Sequence, residues 1–418
     1  MKIKFVLFVL SLSFLLKAQS KILIYMDLQQ TDHLKAYGIT YHALAKGIKA
    51  DWLLNYRGGS FMIDYNKDIA NECMVDGVAF NELITQQAAE IYSTVQSDSS
   101  NMAVVRLEKA PKIAVYVPPG FMPWDDAVTM VLNYADIPYT KVWNDEILNG
   151  DLSKYDWLHL HHEDFTGQYG KFYASFGNAQ WYKDEQMEYE KDAKKNGFKK
   201  VSEMMKAVAV TIKNFVGNGG FLFAMCSATD SYDIALAAQH DDICASMYDG
   251  DPEDPDAQQK LDFSQTLAFQ NFKLELNPYV YEYSSIDVQP SEIGDPSNDY
   301  FTLFNFSAKY DPVPTMLTQD HVNVIHGFMG QTTMFHKEYI KPSVTILAER
   351  PGTDQVKYIH GNYGRGTFTF YGGHDPEDYT HEVGDPPTDL SLHKNSPGYR
   401  LILNNVLFPA ARKKKLKT

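Results

Sequence analysis

Cys226 closes an apolar run, Phe221-Leu222-Phe223-Ala224-Met225. Small residues follow it, and a helix-like stretch opens at Asp230. This is how a nucleophile on a strand-to-helix turn reads. A thiol at a helix amino terminus feels the positive end of the helix dipole, which favours the thiolate. A second such place is FTFYGGHDPEDY, where a strand from Thr367 to Tyr371 ends on Gly372-Gly373-His374. His374 is the expected base, with Glu377 or Asp375 orienting its ring. A thiol, an imidazole and carboxylates are the groups that acyl transfer needs.

The third stretch is HLHHEDF. On a strand His159 and His161 share one face and His162 points the other way. These residue types can ligate a divalent ion, yet there is no HExxH and no second close pair at ligand spacing. Hydrogen bonding to substrate is therefore the expected role of His161 and Glu163, together with Asp125 and Asp126, and neither metal nor cofactor is expected. The acidic YDGDPEDPD lacks the glycine and distant glutamate of a calcium loop. RGGSF is expected as a tight turn, with an anion cradle as its functional alternative.

Those residues need elements to carry them. The chain after residue 18 opens as strand, helix, strand (KILIYMDL, His33 to Lys46, KADWLLNY). The order repeats from Lys112. A polar SDSSN stretch places a boundary near residue 105, which gives an N-terminal α/β segment (19–105) and a second domain (106–418). Aromatic and charged residues 164–200 and acidic residues 240–320 are expected as insertions. Strands alternating with helices predict a parallel sheet with helices on both faces. Ligands bind beyond the carboxyl ends of such strands. That rule selects Pro118 to Asp126, His161 to Asp164, Cys226 to Asp230 and His374 to Glu377 as one cleft.

Composition narrows the setting. Lys2 and Lys4 precede an apolar Phe5-to-Leu16 segment too short to span a bilayer, so residues 1–18 are expected as a signal peptide and the protein as exported, periplasmic or secreted. No later run suits a membrane helix, so stable membrane insertion is not expected. The net charge of −15 disfavours nucleic acid and anionic membranes as partners. Three cysteines form at most one bridge. The oligomeric state is not legible.

The second half resembles the class I glutamine amidotransferase-like fold, a flavodoxin-like sheet. Ala224-Met225-Cys226-Ser227-Ala228 matches that family's G-x-C-x-G elbow with both glycines replaced by alanine. His374-Asp375-Pro376-Glu377 matches its His-x-Glu with one extra residue, and Asn404 to Phe408 fits its closing helix. Over its whole length the chain is similar to exported bacterial proteins labelled asparagine synthetase B, through LLNYRGGSF, DWLHLHHEDFTGQYGKFYAS and FYGGHDPEDYTHEVGDPPTDLSLHKNSPGYRLILNNVLFP. ATP-dependent asparagine synthesis does not follow from that likeness, because Lys2 rather than cysteine follows Met1 and no SGGxDS loop is present.

The resemblance implies an exported amide or ester hydrolase, or an amidotransferase-like protein, acting on a small polar, glycan-linked or peptide substrate with Cys226 as nucleophile. Two other classes stay open. A non-catalytic carbohydrate- or peptide-binding module would use the aromatic insertion (Phe172, Tyr173, Phe176, Trp181, Tyr182) for stacking. A metal hydrolase would use His161, His162 and His374 as ligands.

Overall fold

The structure is a computed structural model that describes residues 20–119, 126–311, 315–382 and 384–412. The segment expected as a signal peptide and Asp125 lie outside the described residues. A small sheet holds β1 (Lys21–Ile24), β2 (Ala50–Leu54), β3 (Ser60–Asp64), β4 (Asn81–Leu83) and β5 (Ala103–Leu107), in the order β4-β1-β3-β2-β5. All neighbouring strands are antiparallel. The opening strand-helix-strand unit is split: β1 and β2 run parallel to each other, with β3 inserted antiparallel between them. The cause is local. Asn55, Arg57, Gly58 and Gly59 take φ of 60°, 46°, 74° and 87°, so the chain doubles back and β3 pairs with β2 as a hairpin. A Cβ on Gly58 would lie 2.3 Å from the Met26 carbonyl oxygen. The amides of Gly59 and Ser60 both donate to Tyr56 O at 3.0 Å, so this stretch is a tight turn. β5 runs through residue 105, and Leu107 bridges Ala411 near the other end of the chain.

The large sheet holds β6 (Ile113–Tyr116), β7 (Thr140–Val142), β8 (Trp157–Leu160), β9 (Phe221–Met225), β10 (Tyr300–Leu303), β11 (Val324–His326), β12 (Phe335–His336), β13 (Thr345–Glu349), β14 (Gln355–Tyr363) and β15 (Gly366–Tyr371). Its order is β11-β10-β13-β14-β15-β9-β8-β6-β7, with β12 paired to β14. The five strands β7-β6-β8-β9-β15 are parallel. Ranked by chain position, they run second, first, third, fourth, fifth. The remaining strands extend the sheet antiparallel, so the sheet is mixed rather than parallel throughout. Tight connections between β13, β14 and β15 leave no room for a crossover, and only hairpins fit.

Alternation along the parallel strands sends side chains to two cores. Ile113, Val115, Trp157, Phe223 and Met225 face a cluster shared with Ile22, Ile24, Trp52, Phe61 and Ile63 of the small sheet. The helices His33–Ala45, Ala127–Tyr134 and Pro397–Leu407 contribute to the same cluster. Ala114, Tyr116, Leu158, Leu160, Leu222 and Ala224 face the opposite way, onto the helices Asn144–Leu148, Val201–Gly217 and Ala228–Ala237. The large sheet thus carries helices on both faces, and one continuous core joins it to the small sheet. Arg400, fully buried on the closing helix, donates to Met26 O at 2.8 Å, to the Tyr37 hydroxyl at 3.0 Å and to Gly58 O. Among the described residues no helix is long and apolar enough to cross a membrane.

Candidate active site

β8 is buried along its whole length and ends at Leu160, so His161 and His162 emerge at its carboxyl end. His159 and His161 share a face, as the strand period requires. Both approach Asp126 Oδ1, His159 through Nε2 at 3.4 Å and His161 through Nδ1 at 3.6 Å. Asp126 is also the cap of the helix Ala127–Tyr134, accepting the amides of Val128 and Thr129 at 2.8 and 3.1 Å. Burial alone would push its carboxyl up. His159, the Thr129 amide and His162 outweigh that and hold it below its ordinary value.

His374 arrives from the end of β15. Gly373 has a φ of 88°, and a Cβ there would meet Phe328 Cδ2 at 2.5 Å and Lys357 Nζ at 2.6 Å, so the turn that presents His374 needs glycine. The His374 ring meets His161 edge-on at 4.3 Å and stacks on His381 at 3.7 Å, with His162 5.8 Å away. One ligand nitrogen from each of His161, His162 and His374 lies within 4.8 Å of the others. Burial and the neighbouring histidines His162, His159 and His381 hold His161 well below the usual histidine pKa. Burial, His161, His381 and His162 do the same to His374, against a smaller opposing pull from Asp126. Both rings are therefore neutral, which is the metal-binding form. His161 Nε2 is buried and makes no hydrogen bond among the described residues.

This donor set fits a zinc-class ion: three imidazoles, a carboxylate behind one of them, and His162 at the exposed edge where a further ligand could enter. Glu163 steadies the strand end by accepting the His161 amide at 2.9 Å. Burial pushes its carboxyl up to about 8, opposed by that amide and reinforced by Asp126.

Cys226 stands beside this cluster. β9 ends at Met225, Cys226 takes a left-handed φ of 49°, and the helix Ala228–Ala237 follows. Such a backbone costs about 1–2 kcal/mol outside glycine. The elbow is tied to the histidine strand end: Ala228 N donates to His161 O and Ser227 Oγ to His162 O, both at 3.2 Å. The amides of Thr332, Ser227 and Gln331 favour the thiolate, but burial outweighs them and pushes the thiol up to about 11. A loop, residues 328–333, roofs the sulfur. A Cβ on Gly330 would lie 3.1 Å from Cys226 Sγ and 2.8 Å from His374 N. Lys357 anchors the loop from below, donating to Phe328 O at 2.5 Å and Thr333 O at 3.0 Å. Burial pushes this lysine down to about 7, against Asp299, Cys226 and Asp287.

Asp126, His161, His162, Cys226 and His374, from the segments selected in the sequence, thus meet at one end of the parallel strands. His374 faces other histidines. Asp375 accepts the Tyr399 hydroxyl at 2.7 Å and the Glu377 amide at 2.9 Å. Glu377 pairs with His393 at 2.9 Å and accepts the Tyr379 hydroxyl at 3.2 Å. The Asp375–Glu377 turn directs both carboxylates to these partners. Cys73, Cys226 and Cys244 are all free and buried. Sequence reasoning missed His381, Lys357 and the 328–333 loop, none of which carries a local motif. The HLH spacing was the available sign of His159.

No family model matches this chain, and no curated protein matches it. Among solved structures, two cytoplasmic proteins of Salmonella typhimurium are similar over 72% of this chain and all of their own, at 9% and 11% identity and TM-scores of 0.33 and 0.36. A GH42 beta-galactosidase of G. stearothermophilus matches 63% of this chain with 28% of its own, at 12% identity and a TM-score of 0.27. Likeness at these levels assigns neither activity nor substrate.

Proposed function

We propose that the cleft is a metal-dependent hydrolytic site for ester or amide bonds, carried on a flavodoxin-like, class I glutamine amidotransferase-like sheet. The convergence of His161, His162 and His374 nitrogens within 4.8 Å of one another carries the reading. A divalent ion held there would lower the pKa of a water and polarise the scissile carbonyl. The chain's own residues do the rest. Asp126 places its negative charge 3.6 Å from His161 Nδ1, on the side of the ring away from Nε2, which is left for the ion. Glu163 fixes the main chain at His161, and the His381 stack fixes the His374 ring. The parallel-strand order second-first-third-fourth-fifth is that of flavodoxin-like sheets and supports the fold half of the proposal.

Elemental analysis of the protein as purified tests it. About one equivalent of a zinc-class metal is expected, lost in His161→Ala and in His374→Ala. A metal-free wild-type protein that stays metal-free after incubation with zinc overturns the reading.

A second reading has one observation in its favour. Left-handed Cys226, between the end of β9 and the start of the helix Ala228–Ala237, has the backbone of a nucleophile elbow. Acyl transfer at Cys226 would survive metal removal and vanish in Cys226→Ala, whereas hydrolysis at the histidines would do the reverse. Export by the leader is part of the same proposal. Amino-terminal sequencing of protein recovered from outside the inner membrane should begin at residue 19.

A further inference from the structure

The strand end that carries the histidines runs straight into a strained turn. Gly167, Tyr169, Gly170 and Lys171 take φ of 85°, 50°, 69° and 59°. Two of these are non-glycine residues held in a region they rarely adopt. Asp164 holds the turn by accepting the Thr166 amide at 2.7 Å and the Gly170 amide at 3.1 Å. The turn delivers Phe172 to a shelf of rings. Phe172 lies 5.9 Å from Trp181 and 5.6 Å from Tyr281, and Tyr173 lies 5.8 Å from Tyr279. Three of these rings face water: Trp181, Tyr279 and Tyr281 are 44%, 66% and 40% exposed.

Gln331 joins the shelf to the cleft. Its side chain donates to Gly170 O at 2.9 Å and Tyr281 O at 2.8 Å. The residue before it, Gly330, packs on the Cys226 sulfur, where an added Cβ would lie 3.1 Å from Sγ. The shelf is therefore an extension of the site and not a separate surface patch.

We propose that this shelf binds the saccharide part of the substrate cleaved at the histidine cluster. The substrate half of that statement rests on the hydrolytic reading; the binding half does not. Tryptophan and tyrosine offer an apolar face and a polar tip, which suits a sugar ring with one C–H face and a rim of hydroxyls. The net charge of −15 disfavours a polyanionic saccharide, so neutral ones are the probes. A stable protein partner would call for a larger, desolvated apolar centre.

Calorimetry on the full chain decides it, using neutral cello-, manno-, xylo- and chito-oligosaccharides as probes, with a neutral decapeptide pool in parallel. Saturable binding of at least one oligosaccharide is expected. Trp181→Ala and Tyr281→Ala, checked for native circular dichroism, should each weaken it at least tenfold. His161→Ala should bind as wild type does. Binding retained in His161→Ala, with wild type releasing no acetate from the N-acetylated chito-oligosaccharides or from O-acetylated xylo-oligosaccharides, leaves the shelf standing and removes the hydrolytic reading. No oligosaccharide binding, equal binding by the shelf variants, or saturable binding of peptides alone overturns the inference.

Discussion

His161 and His374 meet edge to face, with ring centroids 4.3 Å apart and ring planes at 88°. They come from the ends of two parallel strands, β8 and β15, with β9 between them. The side chain that flanks this pair from behind is Asp126, 3.6 Å from His161 Nδ1. Removing that carboxylate while keeping its shape isolates its orienting role. Asp126→Asn should lower metal affinity about 10–100-fold with little change in helix content, as measured by competition with a chromophoric chelator. Unchanged affinity would detach Asp126 from the site.

Reactivity of the elbow thiol gives an independent check. Burial pushes Cys226 up to about 11, so at neutral pH iodoacetamide should label it far more slowly than a free cysteine. The rate should rise with pH well past the range where an ordinary thiol levels off. Cys226→Ala should keep most hydrolytic activity. Rapid labelling at neutral pH, with activity lost in step, would move the nucleophile from the histidine site to the sulfur.

Gly373 makes the presentation of His374 sterically possible. Gly373→Ala places a methyl 2.5 Å from Phe328 Cδ2 in a residue with φ of 88°. We expect a loss of roughly 2–4 kcal/mol from overpacking and backbone strain together, read as a lower urea midpoint. Metal should bind more weakly as well, because His374 moves with the turn. Wild-type stability in this variant would mean that the loop 328–333 yields easily.

His360 ties stability to pH away from the site. It is fully buried, with Nδ1 2.9 Å from Thr369 Oγ1, and burial pushes it down to about 4 from 6.5. The unfolded chain binds the proton first as pH falls, so this residue destabilises the fold below about pH 6.5 and increasingly towards pH 4. At about 1.36 kcal/mol per unit, its share is roughly 2 kcal/mol at pH 5. His360→Asn should show a shallower decline of the urea midpoint between pH 7 and 5. Parallel declines for both proteins would show that His360 is not the group responsible.

Much of this arrangement was legible in the chain. The apolar run before Cys226 and the Gly372-Gly373 pair before His374 each announce a strand end, and parallel strands bring their ends to one side. What depends on distance was hidden. SFMID is short and follows two glycines, so nothing local reveals that it inserts between β1 and β2. The antiparallel run of β13, β14 and β15 follows from the length of the joining turns, whereas hydrophobic pattern alone reads the same for either direction. Asp375 and Glu377 sit at suitable spacing for His374, yet the chain folds them towards Tyr399 and His393. Spacing cannot report a side chain's direction after a turn.

Arg400 has a kinetic consequence. It lies fully buried on the closing helix and satisfies the carbonyls of Met26 and Gly58 in the first sheet. Until that arginine docks, Gly58 O lacks this donor, while Met26 O keeps His33 Nε2 at 3.0 Å. Closure of the first sheet therefore waits on a contact 342 positions away along the chain, and a contact of such sequence separation forms slowly.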